Sequence, residues 1–163
     1  MASEKILKEM NIHLNREFFS SYLYLSMSAF LNKLNYDGMA SWMKKQSFEE
    51  YGHAMKFFDF INKIGGAAIL DKIDKPEFVW DSPLEVFEET LKHEKFITKS
   101  INELANLASD EKDHATLSFL NYFINEQVEE EDIATKIVEK FKLVGDNKGG
   151  MYMLDRELGA RQG

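Results

Sequence analysis

The chain contains no cysteine. Disulfides, thiolate metal sites, iron–sulfur clusters and thiol nucleophiles are therefore excluded. Proline is almost absent, Pro76 and Pro83 being the only two, and there are nine glycines in 163 residues. These are the residues that interrupt helices, and their scarcity beside many Leu, Lys, Glu, Ala and Met predicts an all-α chain. Long apolar runs are also missing. The longest uncharged stretch, Phe18 to Asn32, is Ser-rich and falls short of the ~20 residues that span a bilayer. No apolar leader core follows Met1-Ala2-Ser3-Glu4-Lys5, which opens straight into an amphipathic pattern, so a cytoplasmic protein without membrane contact is expected. Basic residues are outnumbered, 20 Lys and Arg against 28 Asp and Glu, for a net charge of −8. That balance argues against nucleic-acid binding and suits the handling of cations. The length predicts one domain over residues 1–163.

What the chain does have is four long amphipathic periods. The first helix is predicted over about 3–33, with Leu7, Met10, Leu14, Glu17, Ser21, Tyr24, Ser28 and Leu31 along its inner seam. A turn at Asn35 follows, and Asp37 reads as the N-cap of the second helix. That helix carries Met39, Met43, Gln46, Glu50, His53, Phe57, Phe60 and Ile64 and stops at Gly65-Gly66. Residues 65–82 show no helical period. Ser82-Pro83-Leu84-Glu85 combines an N-cap serine, a first-turn proline and an acid that completes the cap. It opens a third helix with the seam Leu84, Phe87, Leu91, Glu94, Thr98, Ile101, Ala105 and Ala108. The polar turn Ser109 to Asp113 leads to a fourth, with Thr116, Leu120, Phe123, Gln127, Glu130, Ala134, Ile137, Phe141 and Val144. Gly145 to Gly150 reads as a flexible linker, and Met151 to Leu158 as a short fifth helix ending at Gly159.

Four such helices predict a four-helix bundle over about 3–144. The two short turns make antiparallel hairpins. The long connection of about 18 residues reaches ~55 Å when extended, more than the ~42 Å of a 28-residue helix. It can therefore run the length of the bundle and set the second helix parallel to the third.

Each seam holds one acidic residue: Glu17, Glu50, Glu94 and Glu130. Glu50 and His53 form a Glu-x-x-His, one turn apart on one helix face. Counted from the turns at Asn35 and Glu111, Glu17, Glu50, His53, Glu94, Gln127 and Glu130 lie 18, 15, 18, 17, 16 and 19 residues away. With the crossover expected to place both turns at one end, the six side chains should converge roughly 25 Å along the axis. Four carboxylates in a dry space repel, and some must stay protonated unless cations balance them. Two divalent ions do so. Oxygen ligands with one imidazole favour a hard metal or non-haem iron. Two adjacent irons let dioxygen take two electrons at once, so the chemistry expected is oxidation of Fe(II) by dioxygen.

The stretches Asn15-Arg16-Glu17, Glu49-Glu50-Tyr51-Gly52-His53, His93-Glu94 and Asn125-Glu126-Gln127-Val128-Glu129-Glu130 together resemble the bacterial-type non-haem ferritins, and the resemblance runs over nearly the whole chain. It implies a ferritin-like fold and an iron-storage protein with ferroxidase activity towards Fe(II), using dioxygen or hydrogen peroxide. It also implies a homo-oligomeric 24-mer shell of closed symmetry, with the fifth helix near the four-fold axis. Carried over position by position, Glu17, Glu50 and His53 would hold the first iron of a di-iron centre. Glu50 would bridge to a second iron held with Glu94 and Glu130, with Gln127 against the site. Glu49, Glu126 and Glu129, sharing Glu130, would hold a third iron. Tyr24 matches a tyrosine near the di-iron centre that could hydrogen-bond a ligand or supply an electron. Bacterioferritins have a second Glu-x-x-His where this chain has Gln127-Val128-Glu129-Glu130, and a haem-ligating methionine where it has Gly52. No haem is expected.

Plainer readings stand beside these. Glu50 and His53 alone read as a satisfied buried pair, and become a metal site only with the other three acids. The run Glu129 to Asp132 is also the pattern of a solvated helix face. Tyr24 fits packing as well as redox chemistry, and Met10, Met27, Met39, Met43 and Met55 read as core filler. His13, His93 and His114 lie off the seams and receive no function. Met151 to Leu158 is either a frayed tail or, from its apolar content, an assembly contact. The alternative function is a rubrerythrin-like di-iron peroxidase without a storage role, and the third is a bundle without metal. The absence of cysteine removes the rubredoxin electron-transfer module usual in the peroxidase, and the fifth helix favours a shell.

Overall fold

The structure, a computed structural model, describes residues 2–163. It has five helices: α1 (Glu4–Lys33), α2 (Asp37–Lys63), α3 (Pro83–Asp110), α4 (His114–Val144) and α5 (Lys148–Gly159). No strand occurs among the described residues. Four of the starts follow from short polar side chains that satisfy a free N–H of the first turn. Ser3 Oγ accepts from Ile6, Ser82 Oγ from Glu85, Asp113 Oδ1 from Thr116 and Asn147 Oδ1 from Gly150. Each such cap stabilises its helix by about 1 kcal/mol.

Two boundaries differ from expectation. Asp37 is already inside α2 and makes no cap; Tyr36 precedes it without a side-chain bond. The N–H of Met39 is instead taken by Asp155 Oδ1 of α5, at 2.8 Å. That dock needs Gly38, because a Cβ there would lie 1.9 Å from the Asp155 carbonyl oxygen. The expected flexible linker is also shorter than predicted. Gly145, with φ 58°, breaks the chain, and Asn147 then caps an α5 that starts at Lys148. Leu154 and Leu158 are buried by α5, so it is a packed element of this chain rather than a frayed tail.

Side-chain pairs fix the directions. Along α1, Ser21 meets Ser47 and Ser28 meets Ala40 on an antiparallel α2. His13 meets Ser100 and Tyr24 meets Glu94 on an antiparallel α3. Hence α2 and α3 are parallel, as the long connection requires. This places the turn after α1 and the turn after α3 at opposite ends of the bundle, not at one end as expected. The polar residues still share a level because they lie near mid-length of helices 27 to 31 residues long, where a count of 15 to 19 from either end arrives at the same height.

The connection from residue 65 to 82 runs along α1 without secondary structure of its own. Two asparagine side chains hold it as a strand partner would. Asn11 donates to Ala67 O and accepts from Ile69 N, and Asn15 donates to Ile69 O and accepts from Asp71 N, at 2.7 to 3.0 Å. The buried apolar residues divide into two clusters. One contains Met27, Leu31, Met39, Trp42, Phe87, Phe141 and the α5 leucines. The other contains Met10, Leu14, Phe57, Ile61, Ile101 and Phe123. A layer of buried polar groups lies between them.

Candidate metal centre

Four helices each contribute a buried acid to that layer. Glu17, Glu50, His53, Glu94, Gln127 and Glu130 are all buried, with relative exposures of 6% or less. Ligand atoms of Glu17, Glu50 and His53 lie within 4.8 Å of one another, and so do those of Glu50, Glu94 and Glu130. Glu50 is common to both groups.

Hydrogen bonds bind the layer together. His53 Nδ1 is 3.0 Å from Glu50 Oε2. Gln46 Nε2 reaches Glu130 Oε2 at 2.7 Å and Glu50 Oε1 at 3.2 Å. Tyr24 donates its hydroxyl to Glu94 Oε1 at 2.5 Å, and Gln127 Nε2 donates to Glu94 Oε2 at 3.1 Å. Two oxygens have no partner, Glu17 Oε2 and Gln46 Oε1. A buried carboxylate oxygen left without donor or cation is costly, so Glu17 Oε2 marks a place where the chain alone leaves a charge unanswered.

Burial, then mutual repulsion, sets the protonation of the acids. Desolvation pushes Glu50 well up, and the charges of Glu94 and Glu17 push it further. Desolvation raises Glu94 to about 7 against the bonds from Tyr24 and Gln127. It raises Glu130 to about 9, with Glu49 and Glu94 adding to the effect. Tyr24 is likewise raised well above its ordinary value by burial and by the charge of Glu94. Glu17 differs. Burial raises it, but the charge and hydrogen bond of His13 outweigh that, and its value is lowered. The donor set is therefore carboxylate oxygens with one imidazole, short of positive charge by more than the protein supplies. That fits divalent cations of hard or borderline type.

Of the residues expected for a third site, Glu49 and Glu126 lie with His53 in another group within 4.8 Å. Glu129 is exposed and belongs to none of the groups. Glu49 already has a cation: Arg161 Nη2 is 2.8 Å from its Oε2, while Nη1 donates to Trp42 O and the guanidinium covers the Trp42 ring.

Two histidines that received no function are part of the surroundings. His13 is fully buried and bonds Glu17. His93 is bonded through Nε2 to Ser20 Oγ at 2.7 Å, and burial lowers it to about 4. The signal for His13 was available, since His13 and Glu17 are four apart and share a helix face just as Glu50 and His53 do. His114 is exposed.

Comparison with known proteins agrees with this geometry. The ferritin-like domain profile matches residues 7–144. A bacterial non-heme ferritin of Bacteroides fragilis (strain 638R) is 47% identical over 161 residues, covering 99% of this chain and all of that protein. One from Staphylococcus aureus (strain USA300) is 35% identical, covering 99% of this chain and 97% of that protein. Among solved structures, an open pore ferritin from the archaeon Archaeoglobus fulgidus superposes with a TM-score of 0.98 at 44% identity, covering 99% of each chain. This five-helix chain belongs to the ferritin family.

Proposed function

We propose that this chain is the single-domain subunit of an iron-storage ferritin, and that it oxidises Fe(II) at the centre of its bundle before the ferric product is stored as mineral. The carrying observation is the pair of buried ligand groups sharing Glu50. Glu17, Glu50 and His53 take one Fe(II), and Glu50, Glu94 and Glu130 take the other. Gln127 and Tyr24 hold Glu94 in place through its two oxygens. The cations displace protons from Glu50, Glu94 and Glu130, whose neutral forms burial favours without metal. Each Fe(II) gives up one electron, and dioxygen, taking two electrons and two protons, leaves as hydrogen peroxide. Hydrogen peroxide can serve as oxidant in the same place, taking two electrons and two protons to give water.

Glu49, Glu126 and Glu130, with the exposed Glu129 at the rim, form the proposed third iron site beside the pair. Storage requires a shell, and we assign the 24-mer of closed symmetry to it. The apolar side chains left exposed on one copy support assembly: Tyr22, Leu25, Phe78 and Val79 where the crossover meets α1, and Leu143, Tyr152 and Met153 around α5. No helix among the described residues is long and apolar enough to cross a membrane, and the proposal places the protein in the cytoplasm, with no haem, membrane or nucleic-acid partner. The test is aerobic Fe(II) addition. Rapid ferric absorbance with iron retained in a large particle is expected. Slow oxidation at the buffer rate, or peroxide turnover without retained iron, would overturn the reading, the latter in favour of a peroxidase.

A further inference from the structure

The network behind Glu17 is not used by the oxidation chemistry itself. His13 is completely buried one turn before Glu17 on α1. Its Nε2 is 2.7 Å from Glu17 Oε1, and its Nδ1 is 2.7 Å from Ser100 Oγ on α3. An ionised carboxylate only accepts, so Nε2 carries the hydrogen and donates it. Nδ1 is held against the Ser100 hydroxyl. Ser100 Oγ in turn accepts from Arg16 Nη1 at 2.8 Å. Phe57 packs on the imidazole at 4.6 Å between ring centroids and holds its plane. Arg16, Ser100 and His13 thus form one continuous hydrogen-bonded chain that ends on Glu17.

One oxygen of Glu17 is therefore fully engaged. The other, Oε2, is buried without a partner, and Glu17 brings a carboxylate oxygen within 4.8 Å of ligand atoms of Glu50 and His53. We infer that His13 is a positioning residue that restricts Glu17 to a single ligand oxygen. Held at Oε1, Glu17 offers only Oε2 to the first Fe(II) and cannot rotate to chelate it with both oxygens. One coordination position of that ion is thereby left for the oxidant. Arg16 and Ser100 act at one remove, by fixing the ring. The inference rests on Glu17 being a ligand.

The test uses the assembled full-length protein and Co(II) without oxygen, followed by the visible absorption of the bound ion. Five-coordinate Co(II) absorbs more strongly than six-coordinate, so the band intensity reports whether Glu17 gives one oxygen or two. In His13→Leu the bands are expected to weaken and Co(II) affinity to fall about tenfold, the usual scale for losing an outer-shell partner. His13→Gln, whose amide N–H can reach Oε1, should restore both. Ser100→Ala, which leaves His13 in place, should weaken the bands in the same direction with an affinity loss of about threefold, below the tenfold to hundredfold range of direct partners. Wild-type bands and affinity in His13→Leu would overturn the inference, and so would a His13→Gln that behaves like His13→Leu. If His13→Leu does not fold, Ser100→Ala decides: unchanged bands overturn the inference. Glu17→Gln separates the underlying reading, since unaltered Co(II) binding there would show that Glu17 is no ligand.

Discussion

On one side of the buried layer Glu17 is bonded to a histidine, and its carboxylate is stabilised in the charged form. On the other side Glu94 and Glu130 are bonded by amides and a phenol, with no cationic partner, and burial raises them to about 7 and about 9. The chain thus prepares the two halves of one site differently. Glu17 is ready for a cation at neutral pH, whereas Glu94 and Glu130, like the Glu50 shared by both halves, must lose protons to accept one. The difference teaches that charge balance, rather than shape alone, orders the filling: the first ion is expected on Glu17, Glu50 and His53, and its charge then eases ionisation on the far side.

The sharpest way to break this comparison is to neutralise one acid on each side. Glu130→Gln keeps an acceptor for Gln46 and removes a group that resists ionisation. Without metal at pH 8 it should stabilise the fold, on the order of 1–3 kcal/mol by proton linkage. Glu17→Gln weakens a charge-assisted bond and should destabilise by about 1–2 kcal/mol. Thermal unfolding with a chelator present reads both, and effects of the same sign would contradict the account.

The pH dependence of the metal-free wild type sharpens the same point. Glu94 and Glu130 have folded-state values above the ordinary 4.5. Their contribution is complete below about pH 4.5 and is lost as pH rises through 7 and on to 9. Stability without metal should therefore decline from about pH 5 to 9, and a divalent cation should flatten the decline. A metal-free stability that climbs over this range would count against it.

Tyr24→Phe removes the hydroxyl that Glu94 Oε1 accepts from. A loss of about 1–2 kcal/mol is expected, as for a buried bond to an ionisable group. Slower Fe(II) oxidation with unchanged stability would assign Tyr24 an electron-donating role instead. The smallest effect belongs to Arg161→Ala. Freeing Glu49 from a partly exposed ion pair should tighten a third Zn(II) by only a few-fold, because exposed pairs are weak. Calorimetric titration would show this, and a weaker third ion would contradict it.

Much of the layer was legible from helix periodicity, because Glu17, Glu50, Glu94 and Glu130 interrupt seams that are otherwise apolar or small. A single-file seam was nevertheless too narrow a description of each helix. The buried face of α1 is wide enough to include Ile6, His13 and Ser20 beside Met10 and Glu17, so His13 was set aside as off the seam. Similarly, Ile61 is buried in α2 where Phe60 and Ile64 were expected, because the face drifts along a helix of 3.6 residues per turn. The placement of Arg161 on Glu49 and of Asp155 on the start of α2 had no local signal. Both contacts join residues more than 100 positions apart and arise only once α5 docks on Gly38. The site level was found correctly although the turns lie at opposite ends, since mid-length positions coincide from either end.

The most direct measurement is an anaerobic Fe(II) titration of the assembled protein with the released protons counted. The account predicts two tightly bound ions per chain, the second accompanied by more proton release than the first, and loss of the paired binding in Glu50→Ala. Tight binding of two ions that survives Glu50→Ala, or uptake without proton release at neutral pH, would contradict it.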